Sequence, residues 1–114
     1  MTPFDLKASP AEEHPRLSLF GELDIAAAPQ VDGALAELER DRPERIVLDL
    51  RGLTFLDSTG LRSLLGADSR ARDEGRRLTL IQGPDVVQRV FSITGLDGRL
   101  DIVDDESALA SEAR

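Results

Sequence analysis

The chain has 114 residues, a formal charge of −8 and no cysteine, tryptophan or tyrosine. That length favours one domain, spanning 1–114, around one aliphatic core, and the missing cysteines exclude a disulfide framework, a thiolate metal site and cysteine catalysis. The negative charge argues against a nucleic-acid surface as partner; no apolar run approaches the roughly 18–20 residues that span a bilayer, and the N-terminus lacks a basic-then-apolar leader, so a cytoplasmic protein is expected.

Phe4 to Ala8 alternates apolar and polar residues and predicts a first strand. A turn punctuated by Pro10 and Pro15 follows, and Arg16 to Leu23 alternates again, so the two strands are expected to form an antiparallel hairpin. Val31, Leu35 and Leu38 recur at helical spacing beyond Pro29, predicting a helix from about Ala27 to Arg40. Arg45 to Leu50 is a short continuous apolar strand of the kind covered on both faces. Leu61, Leu64 and Leu65 mark one face of a helix from about Ser58 to Glu74, with Gly75 placed for a left-handed stop. Leu78 to Gln82 is a strand, and Val86, Val87, Val90, Phe91 and Ile93 give a third amphipathic helix ended at Thr94-Gly95. Leu100 to Val103 is a last strand, and 104–114 reads as a terminal acidic helix anchored by Leu109. The order β-β-α-β-α-β-α-β-α implies an α/β fold whose mixed sheet is parallel after the hairpin and covered by about four helices.

Chemistry concentrates around Ser58, where a strand hands over to a helix. A nucleophilic serine needs a base. The single histidine, His14, sits in a predicted surface turn between prolines, and Lys7 lies in the first strand. The elbow G-x-S-x-G is absent because Leu56 replaces its first glycine. Asp49 to Thr54 resembles a phosphatase loop only until Arg51, which stands where the second acid belongs. Asp57-Ser58-Thr59-Gly60 has no second copy to complete an aspartic-protease dyad. No phosphate-cradle or cofactor motif occurs, so neither enzyme activity nor a cofactor is expected. The simplest role for Ser58 is a helix N-cap, a role for which Asp57 competes. The simplest reading of Asp24 is the start of the turn into the first helix. Gly60 in a first helical turn is unfavourable and suggests a close approach of backbone there.

Leu48-Asp49-Leu50-Arg51-Gly52-Leu53-Thr54-Phe55-Leu56-Asp57-Ser58-Thr59-Gly60-Leu61 resembles the phosphorylation segment of the bacterial STAS-domain anti-sigma factor antagonists. Gly21-Glu22-Leu23-Asp24 and Val90-Phe91-Ser92-Ile93-Thr94-Gly95-Leu96-Asp97 agree with the same family in order and spacing. The resemblance implies a single STAS domain that regulates transcription by partner switching. It implies phosphorylation at Ser58 by an anti-sigma factor that is also a serine kinase, and removal of the phosphate by a serine phosphatase. It implies that the unphosphorylated form binds the anti-sigma factor and frees its sigma factor. Thr59, where the family often has a second serine, is a secondary acceptor. The implied partner surface comprises Asp24, Asp57, Ser58, Thr59, Gly60 and Arg62. A rival with the same fold is a STAS subunit of a stress-signalling complex or lipid-transport system.

Overall fold

The computed structural model describes residues 3–9, 14–107 and 109. Among these residues, five strands and three full helices follow one another as β1 (Asp5–Ser9), β2 (Arg16–Leu23), α1 (Ala28–Glu39), β3 (Arg45–Leu56), α2 (Ser58–Asp73), β4 (Arg77–Ile81), α3 (Asp85–Thr94) and β5 (Asp101–Val103), with a 3-10 turn at Leu96–Gly98 before the last strand. The strands lie side by side in chain order. β1 pairs antiparallel with β2, and every later neighbour pairs in parallel.

That order decides where the helices go. Each parallel connection steps the same way along the sheet, and right-handed crossovers then place all three helices on one face. Leu17, Leu19, Leu48, Leu50 and Leu80 point into this layer and meet Val31, Leu35, Leu64, Val87 and Phe91 from the helices in one cluster. The alternate residues Val47, Ile81 and Val103 form a smaller cluster on the other face, against Leu109. Arg45 to Leu50 is therefore buried throughout, as a central strand covered on both sides.

Three differences from the sequence expectations stand out. β3 does not stop at Leu50 but continues to Leu56 alongside β2, with Phe20 opposite Gly52 and Leu23 opposite Leu56. Two register irregularities accommodate the extension, and they break the strict alternation that would have revealed it. A methyl group at Gly52 would lie 2.3 Å from the Phe20 ring and 2.8 Å from the Leu19 carbonyl oxygen, so glycine is what lets the strands pass. The helical cover also differs slightly: among the described residues three helices line one face of the sheet, where about four were expected to cover it. The expected terminal helix over 104–114 lies largely outside the described residues, where Glu106, Ser107 and Leu109 are helical. On α3, Val87 and Phe91 are buried while Val86 and Ile93 are exposed, so its apolar face is narrower than the residue pattern suggested.

Glu106 ties the C-terminal segment to the sheet. It accepts hydrogen bonds from Arg16 and from Arg51 Nη2, the latter at 2.7 Å, and Arg51 also donates to both oxygens of Asp49 at 3.0 and 2.7 Å. Burial alone would raise the Asp49 pKa, but hydrogen bonds from Arg51 and the charges of Arg51 and Arg16 hold it below the usual carboxylate range. The hydrogen bonds from Arg16 and Arg51 likewise hold Glu106 low. Both carboxyls thus bind protons less readily folded than unfolded. Their contribution is whole above the unfolded carboxyl range, near pH 4 to about 4.5, and is lost as pH falls through the folded values. Asp49→Asn and Glu106→Gln should each lower the melting temperature at neutral pH, Asp49→Asn by more. Thermal melts from pH 7 to about 3 should show each gap closing on acidification.

Candidate functional site

The carboxyl ends of β2 and β3 are neighbours, paired at Leu23 and Leu56. Whatever follows each strand must therefore lie side by side, at the end of a parallel sheet where α/β folds place their functional groups. Asp24 follows β2, and Asp57-Ser58 follows β3.

Asp57 is the N-cap of α2. Its Oδ1 accepts a hydrogen bond from Gly60 N at 2.8 Å, and its Oδ2 accepts one from Ile25 N at 3.2 Å. The Asp57 amide also donates to the Leu23 carbonyl at 3.2 Å. One residue thus closes the open end of a helix and clamps the neighbouring loop to it. Asp24 works within its own turn: Oδ1 accepts from Ala26 N and Ala27 N, both at 3.0 Å, and its carbonyl accepts from Ala27 N and Ala28 N. The modest reading of Asp24, that it starts the turn into α1, holds geometrically, and the residue still lies beside Asp57.

Ser58 is the first helical residue and is exposed. It is not the cap. Asp57 wins that position because its two oxygens reach two separate amides, which a single hydroxyl lacks the reach to do. Thr59 is half-buried, and Gly60 is buried against the end of β2. A methyl group at position 60 would lie 2.7 Å from the Leu23 carbonyl oxygen, 2.7 Å from Leu23 Cγ and 2.9 Å from Leu56 Cδ1. The close approach suggested by a glycine in the first turn is thus to the Leu23 backbone and to the Leu23 and Leu56 side chains.

A groove of about 480 Å³ runs between α1 and α2. Ile25, Ala28, Pro29 and Asp32 form one wall, and Thr59, Arg62, Ser63, Gly66 and Arg70 the other. Asp24 lies instead on a smaller hollow of about 220 Å³, with Phe4, Glu22 and Gln30. Sequence reading missed Ile25, which is 71% exposed, carries the amide that binds Asp57 and stands on the groove wall. The available signal was an isolated large apolar residue directly after Asp24, in a stretch otherwise of alanine. His14 precedes β2 at the opposite end of the sheet from Ser58, about 25 Å away by strand length, so it cannot act on the Ser58 hydroxyl. Lys7 sits in β1, paired with Ser18. No group of three or more potential metal-ligating side chains occurs among the described residues, and none of their helices is long and apolar enough to cross a membrane.

A family model described as "Mlab, STAS domain" matches residues 7–104. The chain belongs to the STAS domain family. Among its relatives, an anti-sigma-B factor antagonist of Staphylococcus aureus is 30% identical over 76 residues, 67% of this chain and 70% of that protein. The anti-sigma-F factor antagonist RsfB of Mycobacterium tuberculosis is 32% identical over 81 residues, 71% of this chain and 66% of that protein. The unphosphorylated form of the anti-sigma factor antagonist SpoIIAA superposes with a TM-score of 0.77 at 25% identity, covering 97% of this chain and 96% of that one. The phosphorylated form of SpoIIAA, a Bacillus cell fate determinant, superposes at 0.71 with 24% identity, covering 98% of this chain and all of that one. This STAS chain is thus related in sequence to antagonists of anti-sigma factors, and its fold matches theirs along nearly its whole length.

Substitutions at two positions test the architecture of this STAS site. Asp57→Ala should destabilise the protein by about 0.5–2 kcal/mol through loss of the cap, whereas Asp57→Asn, which keeps an acceptor for Gly60 N, should cost less. Gly60→Ala should cost about 1–3 kcal/mol by overpacking against Leu23. Urea unfolding of the three variants measures these differences.

Proposed function

We propose that this STAS protein is an anti-sigma factor antagonist whose docking is switched at Ser58. Unmodified, the surface around Ser58, Thr59, Asp24, Asp57, Gly60 and Arg62 binds an anti-sigma factor that is also a serine kinase, and the sigma factor is released. In the kinase step the Ser58 hydroxyl oxygen attacks the terminal phosphorus of ATP held by the partner. The bond from that phosphorus to the bridging oxygen breaks, ADP leaves, and the hydroxyl proton passes to a base on the partner. A serine phosphatase restores the hydroxyl by hydrolysis, releasing inorganic phosphate.

The observation that carries this reading is the division of roles at the head of α2: Asp57 holds the helix, and Ser58 is exposed beside it. The serine is available to a kinase without loss of a structural contact. Phosphorylation would add about −1.5 to −2 charge and three acceptor oxygens. The fold would tolerate them, because the positive end of the α2 macrodipole lies beneath and the first amides of the helix face that way. A partner surface shaped around a small neutral hydroxyl would not, because the added group crowds it and places charge next to Asp24 and Asp57. The names of the curated relatives support an anti-sigma factor as the partner. The rival reading, a STAS subunit of a stress-signalling or lipid-transport assembly, predicts that a different protein co-purifies.

Ser58→Ala should change unfolding stability by less than about 0.5 kcal/mol and bind the anti-sigma factor whether or not ATP is present. Ser58→Asp should bind it at least about tenfold more weakly, a loss of some 1.4 kcal/mol. Co-purification and calorimetry on the two variants, with phosphosite mapping on the unsubstituted protein and on Thr59→Ala, read the outcome. Equal binding by both Ser58 variants, or phosphate only at Thr59, would contradict the assignment.

A further inference from the structure

Two cations line the groove beside Ser58, and they differ in what holds them. Arg70 is engaged: its Nε donates to both oxygens of Glu39, at 3.1 and 3.2 Å, which fastens α2 to α1. Arg62 is exposed and forms no ion pair with any described residue, Asp32 on the facing wall included. It follows Ser58 by four residues on the same helix, so the two side chains share one face, one turn apart.

We propose that Arg62 is a counter-charge shared between two states: it pairs with a carboxylate of the docked anti-sigma factor while Ser58 is unmodified, and is taken by the phosphate once Ser58 is phosphorylated. This rests on the switch proposed above and names its local chemistry. The chain as a whole is strongly acidic, with a formal charge of −8, so an exposed cation on the groove is where an acidic side chain of a partner finds its complement. Ile25, 71% exposed on the opposite wall, offers the apolar contact beside it. Phosphoserine outcompetes that carboxylate for two reasons. It carries more charge and presents oxygens in the geometry a guanidinium forks onto. It is also tethered one turn away, so its effective concentration exceeds that of a partner arriving from solution. Phosphorylation then acts twice, adding negative charge to the interface and withdrawing the cation the interface used.

The test uses full-length protein carrying phosphoserine at position 58, unsubstituted or with Arg62→Gln or Arg62→Lys. Phosphorus NMR follows the second ionisation of the phosphate, ordinarily near about pH 6. It should lie lower in the unsubstituted and Arg62→Lys proteins than in Arg62→Gln. Calorimetry against the anti-sigma factor recovered with Ser58→Ala should show Arg62→Gln weakening the unmodified form by about three- to tenfold, with the loss on phosphorylation reduced by the same factor. Identical titration in all three proteins overturns the capture. A shifted titration with an unreduced loss overturns its link to docking. If phosphorylation does not weaken docking of the unsubstituted protein, the switch itself fails, and the titration still decides whether Arg62 takes the phosphate.

Discussion

The carboxylate of Asp57 accepts two amides from different parts of the chain, Gly60 N in its own helix and Ile25 N in the loop after β2. That pair of bonds joins the ends of two parallel strands, the start of α2 and the approach to α1 at a single point. A helix N-terminus leaves amides without intrahelical partners, and here the side chain that satisfies one of them also fixes the neighbouring loop. With this duty discharged by Asp57, the next residue is released from any structural role. A hydroxyl that holds nothing is one that a second protein can modify without disturbing the fold.

The clamp works because the backbones come close enough to be clamped. Gly60 brings the first turn of α2 against the Leu23 carbonyl, and Gly52 lets β3 slide past the Phe20 ring so that it can run on to Leu56. Both glycines are explained by contact with a neighbouring strand, not by an unusual backbone angle. The extended β3 sets the height at which Ser58 emerges. Had the strand ended at Leu50, as the apolar run alone suggests, the serine would begin its helix from a loop and its position relative to Asp24 would be loosely defined.

Charge is distributed unevenly over this acidic chain. Most arginines of the described residues are engaged: Arg16 and Arg51 with Glu106, Arg70 with Glu39, Arg72 with Asp68, Arg77 with Asp101. Arg72–Asp68 lies within α2, and the other pairs fasten elements to one another, the terminal segment to the sheet, β4 to β5 and α2 to α1. Arg62 stands apart from them, one turn after the serine and on a groove wall. Exposed ion pairs add little to stability singly, so their arrangement matters more for which cations are left accessible than for holding the fold together.

Much of this was legible in the linear chain. Leu17 and Leu19, the Val31–Leu35 spacing, and Leu61 with Leu64 announce their elements because burial on one face imposes a period that local geometry makes visible. Gly75 and Gly95 mark helix ends, both with positive φ. Segments around Ser58, Asp24 and Phe91 carried the family resemblance. Hidden from a linear reading were the continuation of β3, whose bulges scramble the alternation; the choice of Asp57 over Ser58 as cap, which depends on a second amide from Ile25; and the groove joining Ile25 to Arg62, residues far apart in the chain. The linear chain was enough to place most elements and their order, which follow from periodicity and local propensity, while Ser58 was marked out by the family resemblance. Which side chains hold the site and which are left free came from the folded arrangement, because that depends on distances between strands and helices that are neighbours in space alone.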